Sequence, residues 1–250
     1  MLTFRTGAAG APTAAQAMAS YLMEATVPTE AAMLSAYYAQ GRGNEEGAVI
    51  DEGTAPMPRR DTAPELAAAL GMSADRSLTT AEFAYVLQGR RADGLEVEGR
   101  VQPQTYRAPV NEAGIPTGDV RHAISYIDLT FSAPKSVSVA WAFAPEAERE
   151  SIVQAHRKAR DDTLAYVEKE IAREGFGKGH EQGMEAGRMT WITCDHYTAR
   201  PTLAIARPDP VTGVVDTEIH TVKSNRHIAG DPQLHSHNIV PNIMVMDGGR

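Results

Sequence analysis

The stretch 230–246 constrains the fold of this chain more than any other. Its second part, 239–246, is apolar and rich in β-branched residues, which predicts a β-strand. Side chains alternate between the two faces of a strand, so His235 and His237 project from the same side. Two imidazoles on one rigid element supply two thirds of an open metal site. A pair of surface histidines explains a bare His-x-His equally well, so the flanking residues must decide.

Helices are predicted where segments rich in alanine and leucine follow a residue that favours a helix start. The segments 13–24 and 29–40 each begin with a threonine that can cap a helix. Shorter helices are predicted at 64–70 and 80–87, each followed by a glycine, and a long one at 146–173. In the long helix, residues at nearly helical spacing predict one face packed on a sheet. These residues are Ile152, Ala155, Ala159, Leu164, Val167 and Ile171.

Strands are predicted where apolar or β-branched residues dominate short segments. They are 1–5, 123–131, 188–196, 203–207, 214–222 and 235–246, the fourth and fifth forming a hairpin. A helix is predicted to start at Ser132-Ala133-Pro134, with Ser132 near the cap. The glycine-rich stretch 174–187 is predicted to be a loop, and Pro241 predicts a bulge or a sheet edge. Because helices and strands do not alternate throughout, the fold class is α+β with a mainly antiparallel sheet.

Composition limits the class of protein. A chain of 250 residues with 42% apolar residues forms one large domain or two small ones with a real core. The mean hydropathy of −0.32 and the lack of a long apolar run argue against membrane insertion. A single cysteine, Cys194, fits a reducing cytoplasm. The net charge of −8 argues against nonspecific coating of nucleic acid, although it permits a local basic groove.

A third histidine ligand must come from another element. His196 ends a predicted strand that could pair with the last one, whereas His220 and His227 lie just upstream of the His-x-His pair. Distance along the chain alone favours His227.

Asp128 and three early tyrosines could also carry chemistry. Asp128 lies within an apolar strand, where burial is costly unless it has a partner such as the N–H of a metal-bound imidazole. Alternation places it on the face opposite Ile127 and Leu129, so an outward, half-exposed carboxylate remains the alternative. Tyr21, Tyr37 and Tyr38 lie on the first two predicted helices. They are either core residues or nucleophiles for a metal-bound phosphate.

Several segments of the chain, in the order in which they occur, resemble the motifs of the MobF class of conjugative relaxases. These relaxases are HUH (His-hydrophobic-His) single-strand endonucleases. The resembling segments are 19–21 with 36–38 (paired catalytic tyrosines), 70–72 with 83 and 87–90 (an intervening helical segment), 128–138 (the central motif), and 230–238 with Asn242 (the third motif). In that family a strand ends in His-x-Thr-Ser-Arg, nine residues after a glycine. His196-Tyr-Thr-Ala-Arg200 follows Gly187 in the same way, so the resemblance favours His196 over His227 as third ligand. An insertion of about thirty residues before the His-x-His stretch keeps His227 as the alternative.

The resemblance implies a palm-like antiparallel sheet flanked by helices, and a relaxase activity. A divalent ion, Mg²⁺ or Mn²⁺ with Zn²⁺ or Ni²⁺ as alternatives, would be held by His196, His235 and His237. Tyr21 would attack the nick site in single-stranded DNA at a transfer origin, leaving a 5′-phosphotyrosine and a free 3′-hydroxyl. Tyr37 or Tyr38 would serve a second transfer. Asp128 would orient a ligand histidine or help to deprotonate Tyr21.

The resemblance also sets expectations for partners and extent. Accessory relaxosome proteins and the coupling protein of a secretion system are expected partners in the bacterial cytoplasm. Residues 1–250 are expected to form one relaxase domain. It is expected to lack its C-terminal lid elements, because the sequence stops soon after the last predicted strand, and a helicase domain, because no Gly-x-x-x-x-Gly-Lys-[Ser/Thr] motif occurs. Two alternatives remain at this stage. One is a fragment that binds single-stranded DNA without cleaving it, and the other is an unrelated three-histidine metallohydrolase.

Overall fold

The fold is taken from a computed structural model of the chain. The structure describes residues 2–8, 12–23, 55–98, 111, 113, 124–176, 183–199, 202–208, 215–221 and 231–246. The strands are β1 (Leu2–Ala8), β2 (Met57–Pro58), β3 (Ile124–Ser132), β4 (Arg173–Phe176), β5 (Gly183–Arg188), β6 (Ile192–Thr198), β7 (Thr202–Pro208), β8 (Val215–Thr221), β9 (Pro232–Pro241) and β10 (Val245–Met246). The helices are α1 (Pro12–Met23), α2 (Pro64–Leu70), α3 (Thr80–Leu87), α4 (Lys135–Phe143) and α5 (Glu146–Ile171).

The central element is a five-stranded sheet in the order β1-β3-β9-β6-β2. Every neighbouring pair in it is antiparallel, which confirms the predicted α+β class with a mainly antiparallel sheet. The strand β9, which carries the His-x-His pair, lies between β3 and β6. In this register His235 is directly opposite His196 on β6 and Ser132 on β3.

Helices cover both faces of this sheet. On one face, α1, α2 and α3 pack against apolar residues of the strands, including Tyr126, Ile192 and Ile239. On the other face, α4 and α5 pack in two separate apolar clusters. One cluster is formed by Trp141, Ala142, Val153, Tyr197 and Leu234, and the other by Leu164, Ala172, Met189, Trp191 and Val240. The strand β9 therefore lies in the middle of the domain, within its sheet and between two helical layers.

The short helices α2 and α3 have the predicted bounds. Gly71 ends α2 with a φ of 61°, a left-handed conformation that glycine adopts without steric cost. Thr79 begins α3 with a capping box, in which its hydroxyl accepts from the amide of Glu82 while the Glu82 carboxylate accepts from the amide of Thr79.

The predicted starts of two other helices are wrong. Helix α1 begins at Pro12, so Thr13 lies in its first turn instead of preceding it. Ser132 is the last residue of β3, and Pro134 is the residue that caps α4, without a side-chain hydrogen bond. The predicted helix 29–40 lies outside the described residues.

Other boundaries also differ from the prediction. The stretch 174–187 contains most of an antiparallel pair, β4 with β5, instead of a loop. Arg188 ends β5, and the strand that carries His196 starts at Ile192. The final strand stops at Pro241, and β10 pairs with β5 in another sheet. Pro241 thus ends a central strand and marks neither a bulge nor an edge.

The predicted face of the long helix α5 is confirmed in part, because Leu164 is buried and Ile152 and Val167 pack on the apolar clusters, whereas Ala155 and Ala159 are exposed. Val153, Arg160 and Leu164 are its buried residues, whereas Ile171 at its end is 54% exposed. Arg160 is buried because its guanidinium pairs with the buried carboxylate of Asp195. The predicted hairpin is confirmed as β7 and β8, which pair antiparallel. None of the helices in the described part of the chain combines the length and apolar composition that a bilayer crossing needs.

Candidate metal centre and active site

Three histidines meet on the face of the sheet that α1 covers. His235 and His237 project from β9, and His196 projects from β6 directly opposite His235. Their ring centroids lie 5.1 to 5.3 Å apart, and one nitrogen from each ring lies within 4.8 Å of the other two. Imidazole nitrogens at such separations can converge on one divalent ion. We refer to His196, His235 and His237 as the three-histidine cluster.

One nitrogen of each ring contacts an oxygen atom. Nε2 of His196 lies 2.9 Å from the main-chain carbonyl of Leu22, and Nδ1 of His235 lies 3.0 Å from that of Gln233. Nδ1 of His237 lies 2.8 Å from the carboxylate of Asp128. These oxygens only accept hydrogen bonds, so the three nitrogens named above donate, and a neutral ring then carries its lone pair on the opposite nitrogen. Such contacts fix the tautomer and the orientation of a metal-binding histidine.

Asp128 is buried beneath the cluster. It is 1% exposed, and its carboxylate accepts from His237 and, at 3.4 Å, from the hydroxyl of Thr130. Thr130 lies directly opposite His237, and its oxygen is 3.2 Å from Nδ1 of that ring. The outward, half-exposed position is therefore excluded for Asp128. Alternation along β3 places Thr130 on the same face as Asp128, but the sequence analysis did not include it in the site.

On the face of β9 that carries the cluster, the exposed fraction of the side chains increases from Ile239 toward His235. Ile239 is fully buried, His237 is 7% exposed, and His235 is partly exposed. Burial lowers the pKa of His235 to about 4, and the nearby ring of His237 adds to this effect while the Gln233 carbonyl opposes it. His235 is consequently neutral at pH 7, which is the protonation state that binds metal.

Tyr21 of α1 borders the cluster. The helix buries Ala15, Ala19 and Leu22 at helical spacing, and this face holds α1 against the sheet. Tyr21, next to Leu22, is partly buried, and its ring lies edge-on to His237 with 6.1 Å between the ring centroids. The arrangement brings a phenol beside three imidazoles, of which His235 is the most exposed.

Among the described residues, the cluster contains no histidine other than His196, His235 and His237. Tyr37, Tyr38 and His227 lie outside the described residues. The backbone of His220 lies on β8, which forms a separate two-stranded sheet with β7. Sequence reasoning missed the carbonyl of Leu22 as a partner of His196, because a main-chain acceptor on a distant helix leaves no signal in the sequence.

Three imidazoles over an antiparallel sheet, with a helix-borne tyrosine beside them, fit the HUH class of endonucleases. The chain belongs to the TrwC relaxase family, whose family model matches residues 15–250. This membership argues against the alternative of an unrelated three-histidine hydrolase.

Individual relatives agree with this assignment. The chain is 26% identical over 166 residues to the multifunctional conjugation protein TraI of Escherichia coli (strain K12), a match that spans 66% of this chain and 7% of TraI. Two solved structures of the conjugative relaxase TrwC in complex with oriT DNA, one metal-bound and one copper-bound, share the fold. Their TM-scores are both 0.53, with 20% and 22% identity, and the likeness covers all of this chain and 59% and 60% of theirs.

Proposed function

We propose that residues 1–250 form the transesterase domain of a conjugative relaxase, which nicks one DNA strand at a transfer origin. The observation that carries this proposal is the position of Tyr21 beside the three-histidine cluster, with 6.1 Å between the ring centroids of Tyr21 and His237. Family membership supports the choice of DNA as the substrate. The TrwC structures are complexes with oriT DNA, which supports single-stranded DNA as the partner proposed here.

The donor set of the cluster fits a divalent ion. His196, His235 and His237 would hold it through the nitrogens that do not contact Leu22, Gln233 and Asp128. When bound, such an ion polarises a phosphate and stabilises the extra negative charge of the transition state. Three imidazoles suit Mn²⁺, Zn²⁺, Ni²⁺ or Cu²⁺ at least as well as Mg²⁺. Titration of the metal-free chain with each ion would identify the one that binds most tightly.

Tyr21 is the proposed nucleophile for the first cleavage. Its hydroxyl loses a proton, the phenolic oxygen forms a bond to phosphorus, and the bond from phosphorus to the 3′ oxygen breaks. The leaving 3′ oxygen takes up a proton, and the 5′ phosphate stays on Tyr21. Because one phosphodiester replaces another, the reverse reaction rejoins the strand without a nucleotide cofactor.

Asp128 is proposed to orient a ligand. The contact of 2.8 Å with Nδ1 of His237 supports this role over the deprotonation of Tyr21. A buried carboxylate that accepts the ring proton keeps the opposite nitrogen available and raises its basicity. A second transfer by Tyr37 or Tyr38, and contacts with relaxosome and coupling proteins, remain predictions from the sequence.

The test is a covalent adduct on a denaturing gel. The chain is incubated with Mn²⁺ or Mg²⁺ and a 5′-labelled or 3′-labelled single strand that carries its nick site, so that the label on the adduct identifies the attached end. We expect an adduct to the 3′ fragment through its 5′ phosphate, and none with Tyr21→Phe. Tyr166→Phe is the matched control, because Tyr166 lies on α5 and is 65% exposed.

Each result discriminates between the functions considered. An undiminished adduct in Tyr21→Phe would overturn the assignment of the nucleophile. Binding of the strand by the wild-type chain with no adduct under any of the metals would overturn the transesterase and leave a DNA-binding module.

A further inference from the structure

A buried polar network lies on the reverse face of the sheet, directly behind the three-histidine cluster. Asp195 precedes His196 on β6, and Ser236 lies between His235 and His237 on β9, so both side chains point away from the histidines. Asp195 and Ser236 are directly opposite each other in the strand register, one step from the pair formed by His196 and His235. The Ser236 hydroxyl donates to Oδ1 of Asp195 at 2.6 Å.

Helix α5 holds this pair in place through two arginines. Nη1 of Arg160 donates to Oδ1 of Asp195, and Nε of Arg157 donates to Oδ2, each at 2.9 Å. Arg157 also donates to the hydroxyl of Tyr197 at 3.1 Å. Both carboxylate oxygens are thus fixed from a helix that packs on the sheet, and the orientation of Asp195 is set by three donors.

His156 of the same helix completes the network. Its Nε2 lies 3.2 Å from the hydroxyl oxygen of Ser236. Because the Ser236 proton is directed to Asp195, the imidazole is the donor in this contact. The hydroxyl of Ser236, between the two ligands of β9, is therefore bound on one side to β6 and on the other to α5.

The apolar surroundings of this network indicate that its main contribution is not to stability. It lies between the two apolar clusters of the reverse face, where Ser236 is fully buried and Asp195 is 5% exposed. Buried ion pairs contribute little net stability compared with apolar residues of similar volume, because both charges must be desolvated. Such a network does fix the relative position of the elements that it joins. Here it fixes β6 relative to β9 at Asp195 and Ser236, which alternate with the ligand histidines along the two strands.

We propose that Asp195 and Ser236, held by Arg157 and Arg160, are positioning residues for the metal centre, setting the separation of His196 from His235 and His237. This inference rests on the proposed function in that the cluster binds a divalent ion. The network touches neither the ion nor the substrate. Its effect passes through the backbone of two neighbouring strands, where a shift on the reverse face moves the ligands by a comparable amount.

The test compares two variants that each remove one buried serine hydroxyl. Ser236→Ala removes the contact with Asp195, whereas the control Ser125→Ala removes a 2.7 Å hydrogen bond from Ser125 to the Leu87 carbonyl, outside the network. Both serines are fully buried. The dissociation constant for Co²⁺ is measured from its visible absorption on metal-free protein, together with the Tm of the metal-free form.

A direct hydrogen-bond partner of a metal ligand contributes about 10-fold to 100-fold to metal affinity, and we expect a smaller contribution from a residue that acts through the backbone. We expect Ser236→Ala to bind Co²⁺ several-fold more weakly, by less than about tenfold, and with a changed spectrum. Ser125→Ala is expected to keep the wild-type affinity and spectrum although its Tm falls by a similar amount. Equal Co²⁺ affinities and spectra for wild type and Ser236→Ala would overturn the positioning role.

A second pair of variants keeps the proposal testable if Ser236→Ala does not fold. Arg157→Gln removes a half-exposed donor to Asp195, and Lys158→Gln, one residue further along α5, removes an exposed pair with Asp162. We expect weaker Co²⁺ binding only for Arg157→Gln, and equal binding by both variants would overturn the proposal. Absence of Co²⁺ binding by the wild-type chain would instead overturn the metal centre itself, so the two failures are distinguishable.

Discussion

Asp128 Oδ2 lies 2.8 Å from Nδ1 of His237 at a position where Asp128 is 1% exposed. Replacing the carboxylate by an amide in Asp128→Asn removes the charge that holds the ring proton. We expect the affinity for Mn²⁺ or Co²⁺ to fall by about 10-fold to 100-fold, and adduct formation to fall with it at limiting metal. The measurement is a metal titration of metal-free protein. Asp162→Asn on α5, where the carboxylate is 66% exposed, is the control, and equal affinities for the two variants would contradict the orienting role.

Metal binding by the three-histidine cluster is expected to stabilise the folded chain. At a free metal concentration of 100 times the Kd, binding to the folded state alone adds about 2.7 kcal/mol to the free energy of unfolding. For a chain of this size that corresponds to a rise in Tm of roughly 5–10 °C. Thermal unfolding with and without Mn²⁺ measures the rise, and K⁺ at equal ionic strength is the control. We expect no rise in His235→Ala, and an equal rise there would place the ion elsewhere.

Leu22 ties α1 to the sheet, and its removal is expected to affect both stability and the nucleophile. The side chain is fully buried, so Leu22→Ala leaves a cavity and lowers the free energy of unfolding by about 3 kcal/mol. Tyr21 precedes it, so adduct yield is expected to fall while Co²⁺ affinity stays within about threefold, the Leu22 carbonyl being retained. Urea unfolding is the measurement. Leu95→Ala, where Leu95 is 64% exposed, should change stability by less than about 0.5 kcal/mol.

The capping box of α3 predicts a pH-dependent stability. The Arg76 guanidinium, together with the amide of Thr79, lowers the pKa of Glu82 to about 2. A carboxylate whose pKa is lower in the folded state contributes stability above its unfolded pKa of about 4.5, and this contribution is lost as the pH falls toward 2. The difference in Tm between wild type and Glu82→Gln is therefore expected to be largest near pH 6 and to shrink at pH 3. A difference that stays constant between these pH values would contradict the assignment.

The parts of the site that follow from alternation could be predicted from the sequence. A strand places His235 and His237 on one face, and the same rule puts Asp128 and Thr130 together on β3. The structure places all four on the face covered by α1. Proximity of His196 could not be derived in this way, since chain distance favoured His227 and only the family resemblance singled out His196.

The features that sequence patterns missed depend on pairing over long distances. The strands β4 and β5 contain too many glycine and polar residues to show a strand period, and their mutual hydrogen bonds define them. Arg160 is polar in any hydropathy scale, yet its side chain is buried where α5 packs on the sheet, because Asp195 of β6 neutralises its charge. Ile171 fits the apolar spacing of α5, but it lies at the end of the helix and remains exposed. Burial in these cases is set by the partner, which a local pattern does not contain.

The three-histidine cluster and Tyr21 lie on elements that are attached to the fold in different ways. The strand β9 is hydrogen-bonded along both edges, to β3 and to β6, so its amides are expected to exchange with deuterium only on global unfolding. Helix α1 is attached to the sheet by side-chain packing and by the contact of the Leu22 carbonyl with Nε2 of His196, and we expect its amides to be less protected. Lifting of α1 would carry Tyr21 away from the histidines and separate the Leu22 carbonyl from His196, while the hydrogen-bonded strands would keep His235 opposite His196.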